Sequence, residues 1–127
     1  MDISSLTRDE FLELLQRGTD GLWQLEAAVW LLDHRGEWLT DARLRRYTLG
    51  GIDEEGNRWA GFEVQRIHAA IDAGEFGDEG ADRNILRIAM SLYGDYRISL
   101  RYAMDDLSEE DLAAVCESLH RACGFSG

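Results

Sequence analysis

Lysine is absent from this 127-residue chain, which carries its basic charge on thirteen arginines. The absence excludes sites that need a lysine amine: a Walker A phosphate site, a Schiff base, the ATP anchor of a kinase and a PD-(D/E)xK-type nuclease site. Proline is also absent, and there are only two cysteines. The absence of lysine alone therefore excludes a large share of known enzyme mechanisms.

The two cysteines are too far apart to pair with each other. Cys116 and Cys123 lie seven residues apart in one predicted helix, which separates their Cα atoms by about 10 Å, beyond disulfide reach. Free thiols, and an N-terminal stretch without a basic or an apolar region, predict a reducing cytoplasm. No apolar run is long enough for a transmembrane helix, so we expect no membrane contact.

The net charge is −12, with 25 acidic residues against thirteen arginines. Nucleic-acid affinity depends largely on a basic surface that neutralises phosphates, so direct nucleic-acid binding is disfavoured.

The length predicts one globular domain that covers residues 1–127.

An apolar stretch at residues 84–93 predicts a central helix that must be covered on nearly every side. One apolar stripe at helical spacing consists of Leu86, Ala89, Met90 and Tyr93. About six helices in total are predicted around this centre. Asn84, Arg87 and Ser91 form the sparse polar edge of this helix. We expect Arg87 and Ser91 to bond to neighbouring backbone and not to take part in catalysis.

Capping patterns and periodicity predict the other helices. Thr7 and Ser108 each begin a capping box, a helix capped by Thr19 or Asp20 runs to about Arg35, and shorter helices cover residues 41–48 and 62–73. The buried side of the last helix is predicted to consist of Leu112, Val115, Cys116, Leu119 and Cys123.

Alternating apolar and polar residues at positions 96–102 predict a strand. Glycines and an Asp-Glu-Glu-Gly-Asn turn in residues 49–60 predict a hairpin beside it. The predicted fold is therefore α+β and mostly helical, with a small antiparallel sheet built from residues 96–101 and 49–59.

Trp23 and Trp30 lie one above the other on the second helix, as members of a second apolar stripe. Burial of a Trp side chain is favourable by a few kcal/mol, roughly, so we expect both rings inside the domain; the alternative places them at an interface.

Three groups of residues invite a chemical interpretation, and each has a structural alternative. Cys116, His120 and Cys123 carry zinc-ligand types on one helix edge, and His68 lies on an apolar helix face. Buried cysteines and satisfied core histidines are the more common cases, and a helix C-terminus disfavours a thiolate. We therefore expect no catalytic residue, no metal site and no cofactor.

Charged clusters form the second and third groups. A dense group of carboxylates suggests an acid/base or metal site, yet acidic residues near a helix start ordinarily stabilise its N-terminus; its members are Asp105, Asp106, Glu109, Glu110 and Asp111. The least acidic stretch holds four arginines that are candidates for an acidic or phosphorylated partner: Arg43, Arg45, Arg46 and Arg58.

The second half of the chain has the order of central helix, glycine turn, YRISL segment and capped helix ending in ACG, and the first half contains the segment WLLDHRGEWL. In these features the chain resembles small acidic proteins of actinobacteria and their phages. Those proteins have no assigned activity, so the resemblance implies no functional residues.

We expect a non-enzymatic adaptor or regulatory protein that binds another protein, or a second copy of itself, through its acidic and Trp-bearing surface. The candidate partner-binding residues are Trp23, Trp30, Arg43, Arg45, Arg46, Asp105, Asp106 and Glu109. The alternative is an acidic nucleic-acid mimic of the phage or mobile-element counter-defence type, which would inhibit a DNA- or RNA-binding protein through carboxylates spread over the loops, Asp78 and Glu79 among them. The third hypothesis is a small enzyme with an unrecognised site.

Overall fold

The computed structural model describes residues 2–77 and 80–125, and Asp78 and Glu79 of the predicted acidic loop lie outside that range. The elements are, in chain order, α1 (Arg8–Gly18), α2 (Trp23–His34), α3 (Ala42–Arg45), β1 (Thr48–Ile52), β2 (Arg58–Phe62), α4 (Val64–Asp72), α5 (Ala81–Tyr93), α6 (Leu100–Ala103) and α7 (Glu109–Ala122), with 3-10 turns at Ile3–Ser5 and Trp38–Thr40. The predicted α+β, mostly helical class is confirmed. No helix of the described residues is both long and apolar enough to cross a membrane.

Helix α5 is the centre of the fold, as predicted. Along its thirteen residues only Asp82 is exposed, and Ile85, Leu86, Ala89 and Met90 have no accessible surface. Helices α2, α4, α6 and α7 all contact it. The apolar residues around the whole circumference of α5 therefore have neighbours to pack against.

Both predicted capping boxes are present. Thr7 Oγ1 accepts from the Glu10 amide at 3.1 Å while the Glu10 carboxylate accepts from the Thr7 amide, and Ser108 and Asp111 repeat the arrangement at the start of α7. Helix α2 differs from the prediction, because it begins only at Trp23 and has no side-chain cap.

The hairpin lies where the sequence predicted one, with β1 and β2 antiparallel and Gly51 opposite Trp59. Helix α1 ends against β2, where a Cβ on Gly18 would lie 1.9 Å from the Ala60 carbonyl oxygen. Glycine is needed at that position because the helix and the strand backbones are in contact.

The predicted strand at residues 96–101 is wrong. The chain is irregular from Tyr96 and then forms α6, and the sheet of the described residues contains β1 and β2 alone. Of the alternating apolar residues, Tyr96 is buried and Ile98 half-buried, whereas Leu100 and Tyr102 are about 60% exposed. A strand needs a neighbour for its peptide groups, and the periodicity carries no information on whether one is available.

The predicted buried face of α7 is off by about one residue of rotation, and of its members only Val115 is buried. The buried row is Asp111, Val115, Ser118 and Ala122. Small side chains in this row allow α7 to lie close to α2. The larger residues of the predicted face are consequently turned to one flank of the helix, where they are exposed: Leu112, Cys116, Leu119 and Cys123.

Candidate functional site

Helices α2 and α7 pack side by side in opposite directions, so that each end of the pair joins the start of one helix to the end of the other. At one end Arg35 meets Asp111, and at the other the Trp23 ring lies against Gly124. These two ends have different chemistry, and the second contains the candidate site.

Trp30 is inside the α2–α7 contact, in agreement with the expectation that it packs within the fold. Its ring is stacked on His34 at a centroid distance of 4.2 Å, and the guanidinium carbon of Arg121 lies 4.6 Å from its centroid. Glu117 accepts from Arg121 Nε at 2.9 Å and so holds the guanidinium in place. Trp30 is half-buried, and its ring already has these partners.

Trp23 does not pack inside as we expected, because 55% of its surface is exposed. It is the first residue of α2, where α7 has already ended and the chain turns at Gly124. The preceding residue, Leu22, is 53% exposed. The expectation failed because periodicity places Trp23 on the same stripe as Trp30 but carries no information on where the facing helix ends.

A pocket of about 180 Å³ lies beside Trp23, and we call it the Trp23 pocket; its lining is Trp23, Glu26, Arg121, Gly124 and Phe125. The turn that ends α7 positions Phe125, because the amide of that residue donates to the His120 carbonyl at 2.9 Å and Gly124 adopts φ +88°. Phe125 is 65% exposed. Two aromatic rings thus border a small pocket that has one carboxylate and one guanidinium in its lining.

At the other end of the α2–α7 pair, the side chains of Arg35 and Asp111 form an ion pair. Arg35 Nε donates to Asp111 Oδ1 at 2.7 Å, and Asp111 Oδ2 accepts from the Ser108 amide at 3.1 Å. Burial raises the pKa of Asp111, but the hydrogen bonds from Ser108 and Arg35 outweigh it and hold that pKa below its ordinary value. The sequence placed Asp111 in the acidic cluster and in the Ser108 capping box, but not among the candidate partner-binding residues, and it gave no sign of the partner Arg35.

The predicted arginine cluster is divided by the fold. Arg45 does not fit the predicted partner-binding role, because it is only 8% exposed. Its guanidinium donates to the carbonyls of Ile3, Leu6 and Leu39. Burial lowers its pKa. Its charge is therefore used to join the N-terminal segment to the core, whereas Arg43, Arg46 and Arg58 are exposed.

Arg43 belongs to a second pocket. Its guanidinium pairs with Asp41 at 2.7 Å and lies 5.7 Å from the ring centroids of both Trp38 and Phe76. The pocket has a volume of about 510 Å³ and is also lined by Glu37, Gly80, Ala81, Asp82 and Arg83. The Arg43 guanidinium is already paired with the Asp41 carboxylate, so Arg43 is not a free anion-binding group.

A third pocket of about 600 Å³ lies where the end of α1 meets the hairpin, lined by Arg17, Gly18, Asp20, Asp53, Asn57, Arg58 and Trp59. Arg17 pairs with Glu13, and Asp53 accepts the amides of Glu55 and Asn57 in the hairpin turn. The Trp59 ring covers Gly51 on the opposite strand. Most of these polar groups therefore stabilise the hairpin.

The acidic residues Asp105, Asp106 and Glu109 are all exposed, on the turn before α7 and in its first turn. The main-chain carbonyl of Asp105 accepts from Asn84 Nδ2 at 2.7 Å, which ties this turn to the central helix. Their carboxylates are free for a partner and also lie at the positive end of the α7 dipole.

The cysteine and histidine residues do not converge. Cys116 and Cys123 are exposed, not buried, and within the described ranges no three His, Cys, Asp or Glu side chains are arranged to hold a metal ion. His68 pairs with Asp72 at 3.0 Å and its ring lies edge-on to Tyr96 at 4.4 Å. His68 thus has structural partners, in keeping with the structural interpretation.

Comparison of the chain with protein-family models, with curated proteins and with solved structures finds no match in any of the three. The resemblance to actinobacterial and phage proteins stays a prediction.

Proposed function

We propose that this protein is a protein-binding adaptor or regulator, and that the Trp23 pocket receives an apolar side chain of its partner. The observation that carries the proposal is the exposure of Trp23 and Phe125 on either side of one small pocket. Aromatic and arginine residues grouped around a pocket are the usual composition of the energetic centre of an interface.

The size and the charges of the pocket limit what it can receive. A volume of about 180 Å³ fits one large apolar side chain, and Glu26 and Arg121 provide opposite charges at its border. Arg121 is already held by Glu117 and by the Trp30 ring, so it is preorganised and loses little freedom on binding. Glu26 is exposed, which leaves its carboxylate for a cationic or hydrogen-bonding group beside the anchor.

The net charge of the chain favours a cationic partner. With a charge of −12, the protein attracts basic proteins over a distance of about 8 Å at physiological ionic strength, and this attraction speeds association. The exposed Asp105, Asp106 and Glu109 add to this field at the far end of α7. Apolar anchoring by the pocket then supplies the specificity.

Photo-crosslinking in extracts of the source organism tests the proposal. A photoreactive amino acid replaces Trp23, and the matched control carries it at Ile52, an equally prominent apolar residue that is 65% exposed on the hairpin. We expect one protein to be crosslinked from position 23 and not from position 52. Recovery of no protein, or the same proteins from both positions, would contradict the proposal.

The captured protein is then purified and titrated with the wild type and with Trp23→Ser. Loss of a central aromatic residue is expected to weaken binding by roughly 30-fold or more, while Ile52→Ser leaves it unchanged. A nucleic-acid-binding partner whose affinity survives Trp23→Ser but falls steeply with salt would support the acidic-mimic alternative instead.

A further inference from the structure

The exposed flank of α7 carries an apolar stripe that the Trp23 pocket does not use. Its members are Leu112, Cys116, Leu119 and Cys123, which we call the α7 stripe. The leucines are 42% and 47% exposed, and both cysteines are exposed. The stripe lies on the side of α7 away from Arg121, because residues 119 and 121 are about 200° apart on a helix.

The spacing of the α7 stripe is that of a helix-pairing seam. Intervals of four, three and four residues reproduce the alternating a and d positions of a heptad, which keep an apolar edge facing a second helix. In this fold α2 and α5 pack on the buried row of α7, next to the stripe, and leave its leucines nearly half exposed. The stripe is therefore a complete seam that one more helix could cover.

The order of residues in the stripe is self-complementary. Read in either direction it alternates Leu with Cys, so reversal of the helix brings each leucine opposite a cysteine. An antiparallel pair of α7 helices would set Leu112 opposite Cys123 of the second copy, and Cys116 opposite Leu119. Large residues then meet small ones in every layer, which fills space well. A parallel pair would instead set leucine on leucine and cysteine on cysteine.

The charges of α7 favour the same orientation. The exposed Glu109 lies beside the α7 stripe at the start of the helix and His120 at its end, whereas Asp111 is buried against Arg35 and Arg121 lies on the other flank. In the antiparallel arrangement Glu109 of one copy approaches the C-terminal end of the other helix, and the helix dipoles are opposed. A parallel pair would bring the two Glu109 side chains together.

We propose that two copies of this chain associate through the α7 stripe, with the α7 helices antiparallel and Cys116 of each copy opposite Leu119 of the other. This interface is separate from the Trp23 pocket, which lies on the other flank of α7. Two chains of charge −12 repel each other at long range, so the association becomes tighter as salt screens that repulsion.

Sedimentation equilibrium of the full chain over a range of salt concentrations tests the proposal. We expect a monomer–dimer equilibrium that shifts toward the dimer as salt rises, and a dissociation constant at least about 100-fold higher for Leu119→Glu. Ile52→Glu, which adds the same charge at an exposed apolar residue of the hairpin, is the matched control and leaves the equilibrium unchanged. A monomer under all conditions, or a dimer that tolerates Leu119→Glu, would overturn the proposal.

Disulfide trapping reports the orientation and does not depend on a destabilising charge. A Leu112→Cys variant that also carries Cys116→Ser places a thiol opposite Cys123 of the second copy and too far from Cys123 of its own helix to pair with it, so oxidised glutathione should convert it to a covalent dimer. The Cys116→Ser protein without the second change is the control and should stay largely non-covalent. A covalent dimer of that control at equal yield would show cysteine against cysteine, and would overturn the antiparallel arrangement.

Discussion

The two ends of the α2–α7 pair differ in how they are closed. At one end Arg35 and the buried Asp111 are joined by charge-assisted hydrogen bonds, and Ser108 completes the same network. At the other end Trp23 lies on the Gly124 turn with more than half of its surface in water. The first end stabilises the pair, whereas the second leaves apolar surface for a partner. Four predictions follow from this contrast, from the largest effect to the smallest.

Asp111→Ala should destabilise the protein most, by about 2–4 kcal/mol. The change removes the carboxylate that accepts from the Ser108 amide in the capping box, which is worth about 1 kcal/mol, and leaves Arg35 without its main acceptor, which costs a further 1–3 kcal/mol, roughly. The measurement is urea unfolding. Glu110→Ala is the control, because that side chain is 85% exposed and 3.6 Å from Arg35; a comparable loss in the control would contradict the assignment.

Acidification should reduce the contribution of the Asp111 carboxylate to the free energy of unfolding. Because its folded-state pKa is below the ordinary value of 3.8, the carboxylate contributes stability above that pH, and the contribution disappears as the pH falls through the depressed pKa. The difference in unfolding free energy between wild type and Asp111→Asn should therefore be constant near neutrality and shrink below about pH 4. A difference that stays constant down to pH 2 would contradict the depressed pKa.

Gly124→Ala should destabilise the open end by about 1–2 kcal/mol. The residue adopts φ +88°, which costs a non-glycine residue about 1 kcal/mol, and its Cβ would lie 2.6 Å from the Trp23 ring. The ring must move, so the Trp23 pocket should change shape. Thermal unfolding measures the first effect and partner affinity the second. Gly56→Ala is the control for φ alone, because open space surrounds that position.

Trp23→Ser should have the smallest effect on stability, about 1 kcal/mol or less, because more than half of the ring is already in water. Its effect on partner binding should be the larger of the two. Calorimetric unfolding measures the effect on stability, and the binding titration measures the effect on partner affinity. A loss of several kcal/mol would mean that Trp23 is a core residue, which would contradict its assignment to an interface.

Local features were predicted well because their partners lie within a few residues. The capping boxes at Thr7 and Ser108 need only a carboxylate three positions later, and both formed. The hairpin at residues 48–62 likewise depends on its own turn, where Asp53 accepts two amides. The all-round apolarity of α5 was also a sufficient signal, since no arrangement of neighbours could leave it in water.

Features that depend on distant residues were not predictable in the same way. Arg45 is adjacent in sequence to exposed basic residues, yet its guanidinium is enclosed by carbonyls from residues 3, 6 and 39. Residues 96–102 alternate as a strand does, but within residues 2–77 and 80–125 no strand lies beside them to pair with. The last helix has apolar residues on two adjoining sides, and its periodicity alone does not select between them.

The sequence by itself determined the absence of lysine chemistry, the starts of α1 and α7 and the central place of α5, because composition and short-range hydrogen bonds need no knowledge of neighbours. Only the tertiary structure decided that Trp30 is half-buried beside α7 while Trp23 is exposed, and that the smaller residues of α7 face inward. The physical reason is that burial is a property of two surfaces. Where α7 ends, and how closely it approaches α2, are settled by contacts between residues far apart in the chain.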